Sequence, residues 1–506
     1  MKAETQDVPR TIVSPSRHPP LSLCRKLCYG FGGVPVPLTQ TIIAFYISVF
    51  LLEYAKLQPF YASVVIFSGR AWDAVTDPII GYYMNKFDTK FGKLKPWIIL
   101  SMPFGVICYF LLWSIPETTS EGSKFAYYLI VYCSFSTFLT CYNVPHAALT
   151  MYITHAQNER DSATAYRIWC DIAGVVVGMV IQVSIVSATM GSVKSDPCIS
   201  MVNANDTPPW AADMIDLQEN GFQKAASVLC VIYCTCALVI AFGVREYKDV
   251  AVTAQEQNDP FFESLKTVLS YRPYSTLLLT FMSFNLATQI IQGNLVLYCK
   301  YALKLDSFET TIVILLISAL VSLPLWQTFL NKYGKRKALA VGMFIFAPLV
   351  ASLLFIPGWK FVIYCVSFVS GVCVAASSLL PWSMIPDVID DFTVQTGTRK
   401  EAIFYSFYVF FNKFASGVAL GLSTLTLGFA GYKTGSCEQP SSVGLALRIF
   451  ASVGPLLLMI LGFKFLKEYP ITEERRRTNS RALEKLREKQ LDFIEGERFL
   501  MSSSTA

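Results

Sequence analysis

The chain has 506 residues, of which 53% are hydrophobic and only 15% are charged, and its mean hydropathy is +0.45. Soluble domains carry roughly 25% charged residues, so this composition excludes an ordinary soluble enzyme. A membrane-spanning helix needs about 20 apolar residues, and the hydrophobic residues suffice for about twelve spans. The net charge of +6 is modest and scattered, so no nucleic-acid partner is expected. We therefore predict an all-α membrane protein with about twelve transmembrane helices.

Apolar runs between charged or polar interruptions predict two sets of six spans. The first set is predicted at residues 30–52, 60–84, 97–115, 125–153, 163–188 and 225–244. The second set is predicted at residues 274–298, 310–330, 338–356, 361–385, 402–428 and 443–465. The corresponding division is a cytosolic N-terminal segment (1–26), a six-helix bundle (27–245), a cytosolic linker (246–272), a second six-helix bundle (273–468) and a cytosolic tail (469–506).

Two basic turns at corresponding places in the two sets suggest an internal repeat. Residues 85–93 after span 2 and residues 331–335 after span 8 both contain Asn-Lys and then Gly-Lys. Equivalent turns in two halves predict duplicated bundles with the substrate path between them. The alternative is that membrane proteins commonly use basic, glycine-containing turns without duplication.

Lysine and arginine residues concentrate in the loops that follow even-numbered spans, which all lie on one side of the membrane. By the positive-inside rule this side is predicted to be cytoplasmic. They are, in chain order, Lys86, Lys90, Lys93, Lys95, Lys332, Lys335, Arg336, Lys337, Arg399 and Lys400, followed by Arg475, Arg476 and Arg477 in the tail. Both termini are therefore predicted to be cytoplasmic. The glycosylation sequon at Asn205 falls in the loop between spans 5 and 6, on the opposite side.

Cysteine and motif patterns give no sign of catalysis. The 14 cysteines lack metal-ligand spacing, and no nucleophile–base pair, phosphate-binding loop or haem motif occurs, so we expect neither an enzyme nor a bound cofactor. Cys198 and Cys437 are the clearest cysteines of the predicted outer loops, where disulfides can form. They are interpreted as a disulfide or as two free thiols, with Cys299 as a rival partner.

Span 2 contains three ionisable residues at membrane depth, Arg70, Asp73 and Asp77. Such residues are costly in a bilayer unless they are paired or hydrated, so each is a functional candidate. Their spacing places them on one face of a helix, and two carboxylates one turn apart suit a small cation. The alternative is a structural Arg–Asp pair with one spare acid.

Polar residues on span 4 are candidates for the same cation site. Thr140 and Asn143 are one turn apart, and Pro145 follows them. Their hydroxyl and amide oxygens could complete a sodium shell that the carboxylates begin. The alternative is that they pack between helices, as polar residues in membrane proteins often do.

Spans 5 and 11 add further charges. Arg167 and Asp171 are four residues apart on one face of span 5, and Lys413 lies within an aromatic run of span 11. A lysine at that depth needs an anion, either a protein carboxylate or a substrate phosphate. We predict a role in substrate binding or coupling, with a structural ion pair as the alternative. His146 is predicted to be a hydrogen-bonded structural residue, with a proton relay as the alternative.

The charged run at residues 473–497 predicts a cytosolic helix. Its basic residues either face solvent or contact lipid headgroups. Solvent exposure is the expectation.

Residues 69–78, Gly-Arg-Ala-Trp-Asp-Ala-Val-Thr-Asp-Pro, resemble the span 2 signature of the glycoside-pentoside-hexuronide cation symporters. This family, typified by the sodium/melibiose permease, belongs to the major facilitator superfamily. From about residue 22 to the tail the chain is similar to the sodium-dependent lysophosphatidylcholine symporters of vertebrates. The segments that carry this similarity are residues 26–29, 159–167, 380–384, 386–392, 413–417 and 469–471. The resemblance implies the major facilitator fold, with two six-helix bundles.

The resemblance implies an ion site in the first bundle. Asp73 and Asp77 match the family's sodium carboxylates. Thr140 and Asn143 stand at the span 4 positions that complete the family's cation site. The same family includes sphingosine-1-phosphate exporters that lack the paired aspartates, so their presence here favours the sodium-coupled branch.

The resemblance also implies substrate and disulfide positions. Arg167 matches the arginine that handles substrate, and Lys413 matches the family's span 11 lysine. Cys198 and Cys437 match the outer-loop pair that is bridged in the lipid symporters. Two positions depart from the pattern. Gln292 stands where the lysolipid symporters have a glutamate, and Asn85, after span 2, stands where many facilitators have an aspartate.

The resemblance therefore implies sodium-coupled import of lysophosphatidylcholine, including species with polyunsaturated chains such as docosahexaenoyl. The expected partners are the lysophospholipid, sodium as the co-transported ion and membrane lipids, and the expected state is a monomer. The expected location is the plasma membrane, with the endoplasmic reticulum membrane as a second site. The alternatives are a cation symporter for a sugar or another lysolipid such as sphingosine 1-phosphate, and a non-transporting receptor or scaffold.

Overall fold

The computed structural model is built from helices joined by short connections. It describes residues 21–86, 92–117, 120–154, 157–191, 209–246, 261–305, 308–356, 358–397, 401–434, 439–479 and 481–483. Within these ranges the long regular elements are helices, as the composition predicts.

The described residues of the first half form seven α-helices. Their bounds are α1 Leu23–Gly33, α2 Pro35–Val49, α3 Pro59–Lys86, α4 Lys95–Leu112, α5 Glu121–Ile153, α6 Gln157–Gly191 and α7 Pro209–Gly243. A π-helical turn, Phe50–Tyr54, follows α2. The helices α1 and α2 and this π turn together form one continuous candidate span, Leu23–Tyr54, which corresponds to predicted span 1.

In the second half, the part of the chain that the structure describes also forms seven α-helices. Their bounds are α8 Phe261–Ser270, α9 Arg272–Leu297, α10 Phe308–Tyr333, α11 Lys335–Ser352, α12 Lys360–Thr396, α13 Glu401–Phe429 and α14 Ser441–Glu468. A π-helical turn, Tyr298–Ala302, follows α9. Each predicted span of this half coincides with one of the helices α9 to α14.

Nine helices within the described residues are long and apolar enough to cross a membrane. The helices α3, α9 and α11 lie where spans 2, 7 and 9 are predicted, but they do not reach the same hydropathy. The charged side chains of α3 contribute to this difference. The count of twelve spans therefore stays a prediction.

Three helices depart most from the predicted boundaries. α12 continues to Thr396, whereas span 10 is predicted to end at residue 385. α7 begins at Pro209, whereas span 6 is predicted from residue 225, because acidic residues interrupt the apolar run without interrupting the helix. α8 lies inside the predicted linker. Its apolar residues recur every three or four positions, which is typical of an amphipathic helix, and Val268 is buried.

The two halves meet mainly along α3 and α13, with further contacts between α2 and α9 and between α6 and α10. Glycines permit the close approach of α3 and α13. A Cβ atom at Gly417 would lie 2.8 Å from Arg70 Cβ, and one at Gly421 would lie 3.0 Å from Phe67 Cβ. Larger residues at these glycines would therefore force the halves apart.

The π-helical turns after α2 and α9 are followed by the same irregular backbone. Lys56 has a φ of 56° and Lys304 has a φ of 52°, each two residues beyond its π turn. Residues other than glycine are uncommon in this left-handed region. The shared irregularity supports the predicted internal repeat. We call this end of the molecule the Glu53 end, after the acidic residue in the first π turn.

The repeat is also visible at the opposite end, which we call the Glu473 end. Gly92 and Gly334, in the two basic turns, have φ values of 117° and 89°. Glu246, which follows α7, accepts a hydrogen bond from the backbone N–H of Lys93 at 2.8 Å. Glu473, which follows α14, lies beside Gly334, where a Cβ would be 3.3 Å from its Oε2. In each half, a glutamate after the last helix therefore lies against the turn after the second span.

Candidate ion and substrate site

Two carboxylates of α3 face one ammonium group of α13. Lys413 Nζ lies 3.0 Å from Asp73 Oδ1 and 2.7 Å from Asp77 Oδ2. The exposed side-chain fractions are 4% for Asp73, 16% for Asp77 and 12% for Lys413. We call these three residues the ion triad. Because α3 belongs to the first half and α13 to the second, the ion triad is also a contact between the halves.

α5 contributes a hydroxyl group to the ion triad. Thr140 Oγ1 donates a hydrogen bond to Asp73 Oδ1 at 2.9 Å and lies 3.2 Å from Thr76 Oγ1. Asn143, one turn further along α5, is half-buried. Within the described residues Asn143 makes no hydrogen bond to either carboxylate, so the structure brings Thr140 but not Asn143 into direct contact with the triad.

Arg70 shares α3 with the carboxylates but contacts a different group. Its Nη2 donates a hydrogen bond to the backbone carbonyl of Gln40 on α2 at 3.3 Å, and the residue is 8% exposed. The structure thus pairs the carboxylates with Lys413, which the sequence placed on a distant span, and directs Arg70 to the backbone of α2.

The ion triad offers the ligand types that a sodium ion needs. Carboxylate and hydroxyl oxygens are preferred by hard cations. Asp77 Oδ1 is buried and accepts no hydrogen bond from any described residue, so it remains available as a ligand. Asp73 and Thr140 supply further oxygens at the same place. A sodium ion and the ammonium group of Lys413 could not both lie between the carboxylates, so the two cations are alternatives.

Arg167 and Asp171 belong to a second cluster, which lies within the first half. Arg167 Nε lies 3.9 Å from Asp171 Oδ2, and Arg167 Nη1 donates a hydrogen bond to the Tyr29 hydroxyl at 3.4 Å. His146 Nε2 lies 3.1 Å from the Tyr29 carbonyl oxygen, and the two rings stack at 4.9 Å. A Cβ at Gly33 would lie 2.4 Å from Asp171 Oδ1. The structure therefore keeps these charges in a cluster separate from the ion triad.

A cavity of about 250 Å³ lies between α2 and the helices α9 to α13. Its polar wall is a row of α9 side chains, Asn285, Thr288, Gln289 and Gln292. Gln289 Oε1 is buried and accepts no hydrogen bond from any residue in the described ranges. Gln292, the position that departs from the lysolipid symporters, is therefore part of a cavity wall.

The cavity has an aromatic wall and adjoins the ion triad. Trp382 of α12 and Tyr408 of α13 meet edge to face, with ring centroids 5.0 Å apart. Asn412 also lines the cavity and accepts a hydrogen bond from Asn285 Nδ2 at 2.6 Å. Asn412 immediately precedes Lys413, so the cavity and the ion triad draw on the same turn of α13.

A polar cluster at the Glu53 end was not predicted from the sequence. Glu53 forms an ion pair with Lys300, accepts a hydrogen bond from the Tyr301 hydroxyl, and lies 3.5 Å from the Tyr432 hydroxyl. These partners belong to the second half, so the cluster joins the halves at this end. The available signal was a single acidic residue next to an apolar run, with a lysine at a similar place after span 7.

A second unpredicted cluster surrounds Asp391 at the end of α12. Arg475 donates two hydrogen bonds to its carboxylate, at 2.8 and 2.9 Å, and Asn479 donates a third at 2.7 Å. The Tyr271 hydroxyl donates a fourth. Residues 473–479 are helical, as predicted, but these bonds attach them to the second half instead of leaving them in solvent.

Three predicted positions, Cys198, Cys437 and Asn205, lie outside the described residues. The disulfide and the glycosylation site therefore stay predictions. Cys299, the rival partner for the disulfide, is a buried free cysteine in the second π turn.

The repeated helical halves, the ion triad between them and the adjoining cavity define a membrane transporter of the major facilitator type. The chain belongs to the MFS/sugar transport protein family, whose family model matches residues 28–473.

Relatives of this chain include named lipid transporters. The sodium-dependent lysophosphatidylcholine symporter 1-B of Danio rerio is 43% identical, with 93% of this chain and 91% of the relative covered. The sodium-dependent lysophosphatidylcholine symporter 1 of Homo sapiens is 40% identical, with 92% and 89% covered. The sphingosine-1-phosphate transporter MFSD2B of Mus musculus is 38% identical, with 92% of both chains covered.

Solved structures show the same fold at low sequence identity. A bacterial homologue of the human lysosomal transporter Spinster, in an inward-facing and occupied conformation, matches with a TM-score of 0.60 at 13% identity, over 88% of this chain and 95% of that chain. The nucleoside transporter NupG matches with a TM-score of 0.55 at 13% identity, over 89% of this chain and 100% of that chain. These similarities concern the fold alone.

Proposed function

We propose that this protein is a sodium-coupled symporter that imports lysophosphatidylcholine by alternating access. The observation that carries the proposal is the ion triad, because its buried carboxylates belong to one half and its ammonium group to the other. Identities of 43% and 40% to sodium-dependent lysophosphatidylcholine symporters support both the coupling ion and the lipid. Sodium is the co-transported ion, and the mechanism needs neither a catalytic step nor a resident cofactor.

Coupling follows from the competition between two cations for the same carboxylates. Asp73 and Asp77 repel each other when both are charged, so a cation must lie between them. In the arrangement described here that cation is Lys413, whose contact holds α13 against α3. A sodium ion would replace Lys413 and release this contact, which shifts the equilibrium between two arrangements of the halves.

The basic loops orient the molecule. By the positive-inside rule the Glu473 end faces the cytoplasm, together with both termini, and the Glu53 end faces outward. The halves are joined at the Glu53 end, whereas the ion pairs that the described residues form at the other end, such as Lys335 with Asp387, lie within one half. The arrangement is therefore one that opens towards the cytoplasm. We place the protein in the plasma membrane, with the endoplasmic reticulum membrane as a second site.

The cavity beside the ion triad suits the headgroup of the lipid. A quaternary ammonium group favours aromatic faces, which Trp382 and Tyr408 provide. The phosphate needs a cation, and Lys413 is the nearer candidate, with Arg167 as the other. Gln292 would contribute an amide to the headgroup. The acyl chain, including long polyunsaturated chains, would remain in apolar surroundings that lead to the bilayer, in a protein that acts as a monomer.

A second candidate substrate is sphingosine 1-phosphate, because transporters named for that lipid are 38% identical over most of the chain. Its phosphate would also meet Lys413. Its amine is a primary ammonium group, which hydrogen-bonds water more strongly than choline does. The aromatic wall therefore favours lysophosphatidylcholine.

Uptake measurements test the proposal directly. Cells that express the chain should take up labelled lysophosphatidylcholine in sodium buffer, and uptake should fall when N-methylglucamine replaces sodium. Labelled sphingosine 1-phosphate and melibiose should show little sodium-dependent uptake. Sodium-dependent uptake of melibiose alone would overturn the lipid assignment, and binding without uptake of any substrate would support a receptor.

The aromatic wall has its own test with a matched control. Trp382→Ala removes the ring that faces the cavity, so lysophosphatidylcholine uptake should fall. Trp359→Ala changes a tryptophan at the N-cap of the same helix that is 70% exposed, and uptake should be retained. Equal uptake by both variants at equal surface expression would place the headgroup elsewhere.

A further inference from the structure

A second cavity, of about 510 Å³, lies at the Glu473 end of the second half, away from the ion triad. It is formed by the end of α10, the start of α11, part of α12, the end of α14 and the residues that follow α14. Seven basic side chains line it: Lys332, Lys335, Arg336, Lys337, Lys467, Arg476 and Arg477. Only two carboxylates, Asp387 and Glu473, lie among the described lining residues. The cavity is therefore strongly positive.

The two carboxylates are already engaged with particular basic residues. Asp387 Oδ1 lies 2.8 Å from Lys335 Nζ. Glu473 accepts hydrogen bonds from Arg476, which lower the pKa of the Glu473 carboxyl group and keep it charged near neutral pH. These pairs do not neutralise the remaining cations, so the cavity has positive charge to offer a ligand.

Three exposed lysines of the cavity, Lys332, Lys337 and Lys467, have no carboxylate partner among the described residues. They lie on α10, α11 and α14 respectively, so they approach the cavity from three directions. A single anionic group could contact all three elements. The first turn of α11 supports this, because its leading backbone N–H groups have no partner within the helix and favour anions.

The position of the cavity in the protein indicates whether the anion belongs to a lipid or is free in solution. The same helices carry exposed apolar side chains within two turns of the cavity, Val341 on α11 and Leu461 on α14. Such side chains face the lipid tails in a membrane protein of this class. The cavity therefore lies where a helix leaves the apolar region and meets the headgroups, and an anion there can be part of a lipid.

We propose that this cavity binds the phosphate-bearing headgroup of an anionic membrane lipid, held by Lys332, Lys337 and Lys467. A phosphate monoester carries a charge of about −1.5 to −2 near neutral pH, which matches several unpaired lysines better than a single phosphodiester does. Clusters of basic residues at the cytoplasmic ends of transmembrane helices favour such lipids. Binding would join α10, α11 and α14 at a site independent of the transported substrate.

The test uses the purified full-length protein and measures lipid binding by native mass spectrometry. The probes are phosphatidylinositol 4,5-bisphosphate, phosphatidylcholine and, for a free anion without acyl chains, inositol 1,4,5-trisphosphate. The protein should retain the bisphosphate lipid in preference to phosphatidylcholine. The combined variant Lys332→Gln, Lys337→Gln, Lys467→Gln should bind it on the order of 100-fold more weakly.

A charge-matched control distinguishes lipid binding in the cavity from attraction by the overall positive charge of the protein. The variant Lys266→Gln, Lys360→Gln, Lys464→Gln removes three exposed lysines outside the cavity, and Lys464 lies on the same helix as Lys467. It should bind the lipid as the unmodified protein does. The variant Lys332→Arg, Lys337→Arg, Lys467→Arg keeps the positive charges and should preserve binding, which attributes a loss in the glutamine variant to the missing charge and not to substitution at these positions.

Three outcomes would overturn the proposal. Equal losses in the cavity variant and the control would mean that binding depends on overall charge. Equal affinity for the trisphosphate and the bisphosphate lipid would assign the cavity to a free anion. Unselective binding of phosphatidylcholine and the bisphosphate lipid would remove the phosphate requirement.

Discussion

Glu53 and Tyr301 occupy equivalent positions in the two halves, 248 residues apart, and the Tyr301 hydroxyl donates a hydrogen bond to Glu53. Each lies in the π turn that ends the first long helix of its half. Lys300, the neighbour of Tyr301, completes the contact as an ion pair. The repeated backbone irregularity therefore positions the groups that join the halves at one end, and that end cannot open while these bonds persist.

Charge reversal at this contact should impair transport, and a second reversal should restore it in part. Glu53→Lys and Lys300→Glu each place like charges together, which costs several kcal/mol when such groups are partly buried. We expect each single variant to reduce lysophosphatidylcholine uptake at least about fivefold. The double variant should recover part of the loss. The control is Lys360→Glu, which reverses the charge of an exposed lysine. If uptake by the double variant is no higher than uptake by the single variants, this pair has no gating role.

Asp77→Asn should abolish the sodium dependence of uptake. The substitution keeps the size of the side chain but removes one of the two charges that hold a cation. We expect sodium-driven uptake to fall at least about tenfold, because breaking a buried ion pair costs several kcal/mol. Lys413→Ala should also lower uptake, because it removes the positive charge that holds α13 against α3 and that the lipid phosphate would contact. Uptake is measured against sodium concentration at equal surface expression, with Glu474→Gln as the control. An unchanged sodium curve in Asp77→Asn would exclude Asp77 as a coupling ligand.

Gly371→Ala should destabilise the second half. A Cβ at Gly371 on α12 would lie 2.1 Å from the backbone carbonyl oxygen of Leu315 on α10, so the helices would have to move apart. Overpacking of this kind costs about 1–3 kcal/mol, and the melting temperature of the purified protein should fall. Gly454→Ala is the matched control, because nothing lies within 4 Å of that Cβ and alanine favours a helix. Equal shifts in the two variants would show that the contact does not limit stability.

Cys198 and Cys437 are predicted to form a disulfide, which would connect an outer loop of each half. Mass spectrometry of the unreduced protein should detect the linked peptide. The link would limit how far the halves separate on the outer side, so reduction should change the rate of uptake. Alkylation of both thiols in the folded, unreduced protein would show that the bond is absent.

The predicted orientation is tested with epitope tags. Tags at both termini should react with antibody only after cells are permeabilised, whereas a tag near Asn205 should react on intact cells. Removal of N-linked glycans should reduce the apparent mass of the protein, and Asn205→Gln should abolish that change. An N-terminal tag that reacts on intact cells would reverse the assignment of the two ends.

Much of the helical architecture could be predicted from the sequence, because long apolar runs leave few structural alternatives in a bilayer. The misplaced start of α7 and the unexpected α8 show the limit of that argument. Helices continue through polar residues when no membrane boundary or helix-breaking residue stops them. Hydropathy therefore locates spans better than it locates helix ends.

The candidate site was only partly accessible from the sequence. The spacing within α3 placed Asp73 and Asp77 on one face, because that relation is local to a helix. Which cation faces them depends on how two halves pack, and no local pattern distinguishes Arg70, three residues away, from Lys413 on another span. Contacts between distant elements, such as Glu53 with Lys300 and Asp391 with Arg475, were missed for the same reason.

The ammonium group that faces Asp73 and Asp77 is tethered to the polypeptide, so sodium competes with a rival that cannot diffuse away. The effective concentration of a tethered group is set by geometry and not by the surrounding solution. The apparent affinity for sodium should therefore rise as α13 moves away from α3 and fall as it returns. A change that alters the spacing of the bundles should shift sodium titrations without touching any sodium ligand, which makes the sodium affinity a measure of the gap between the two halves.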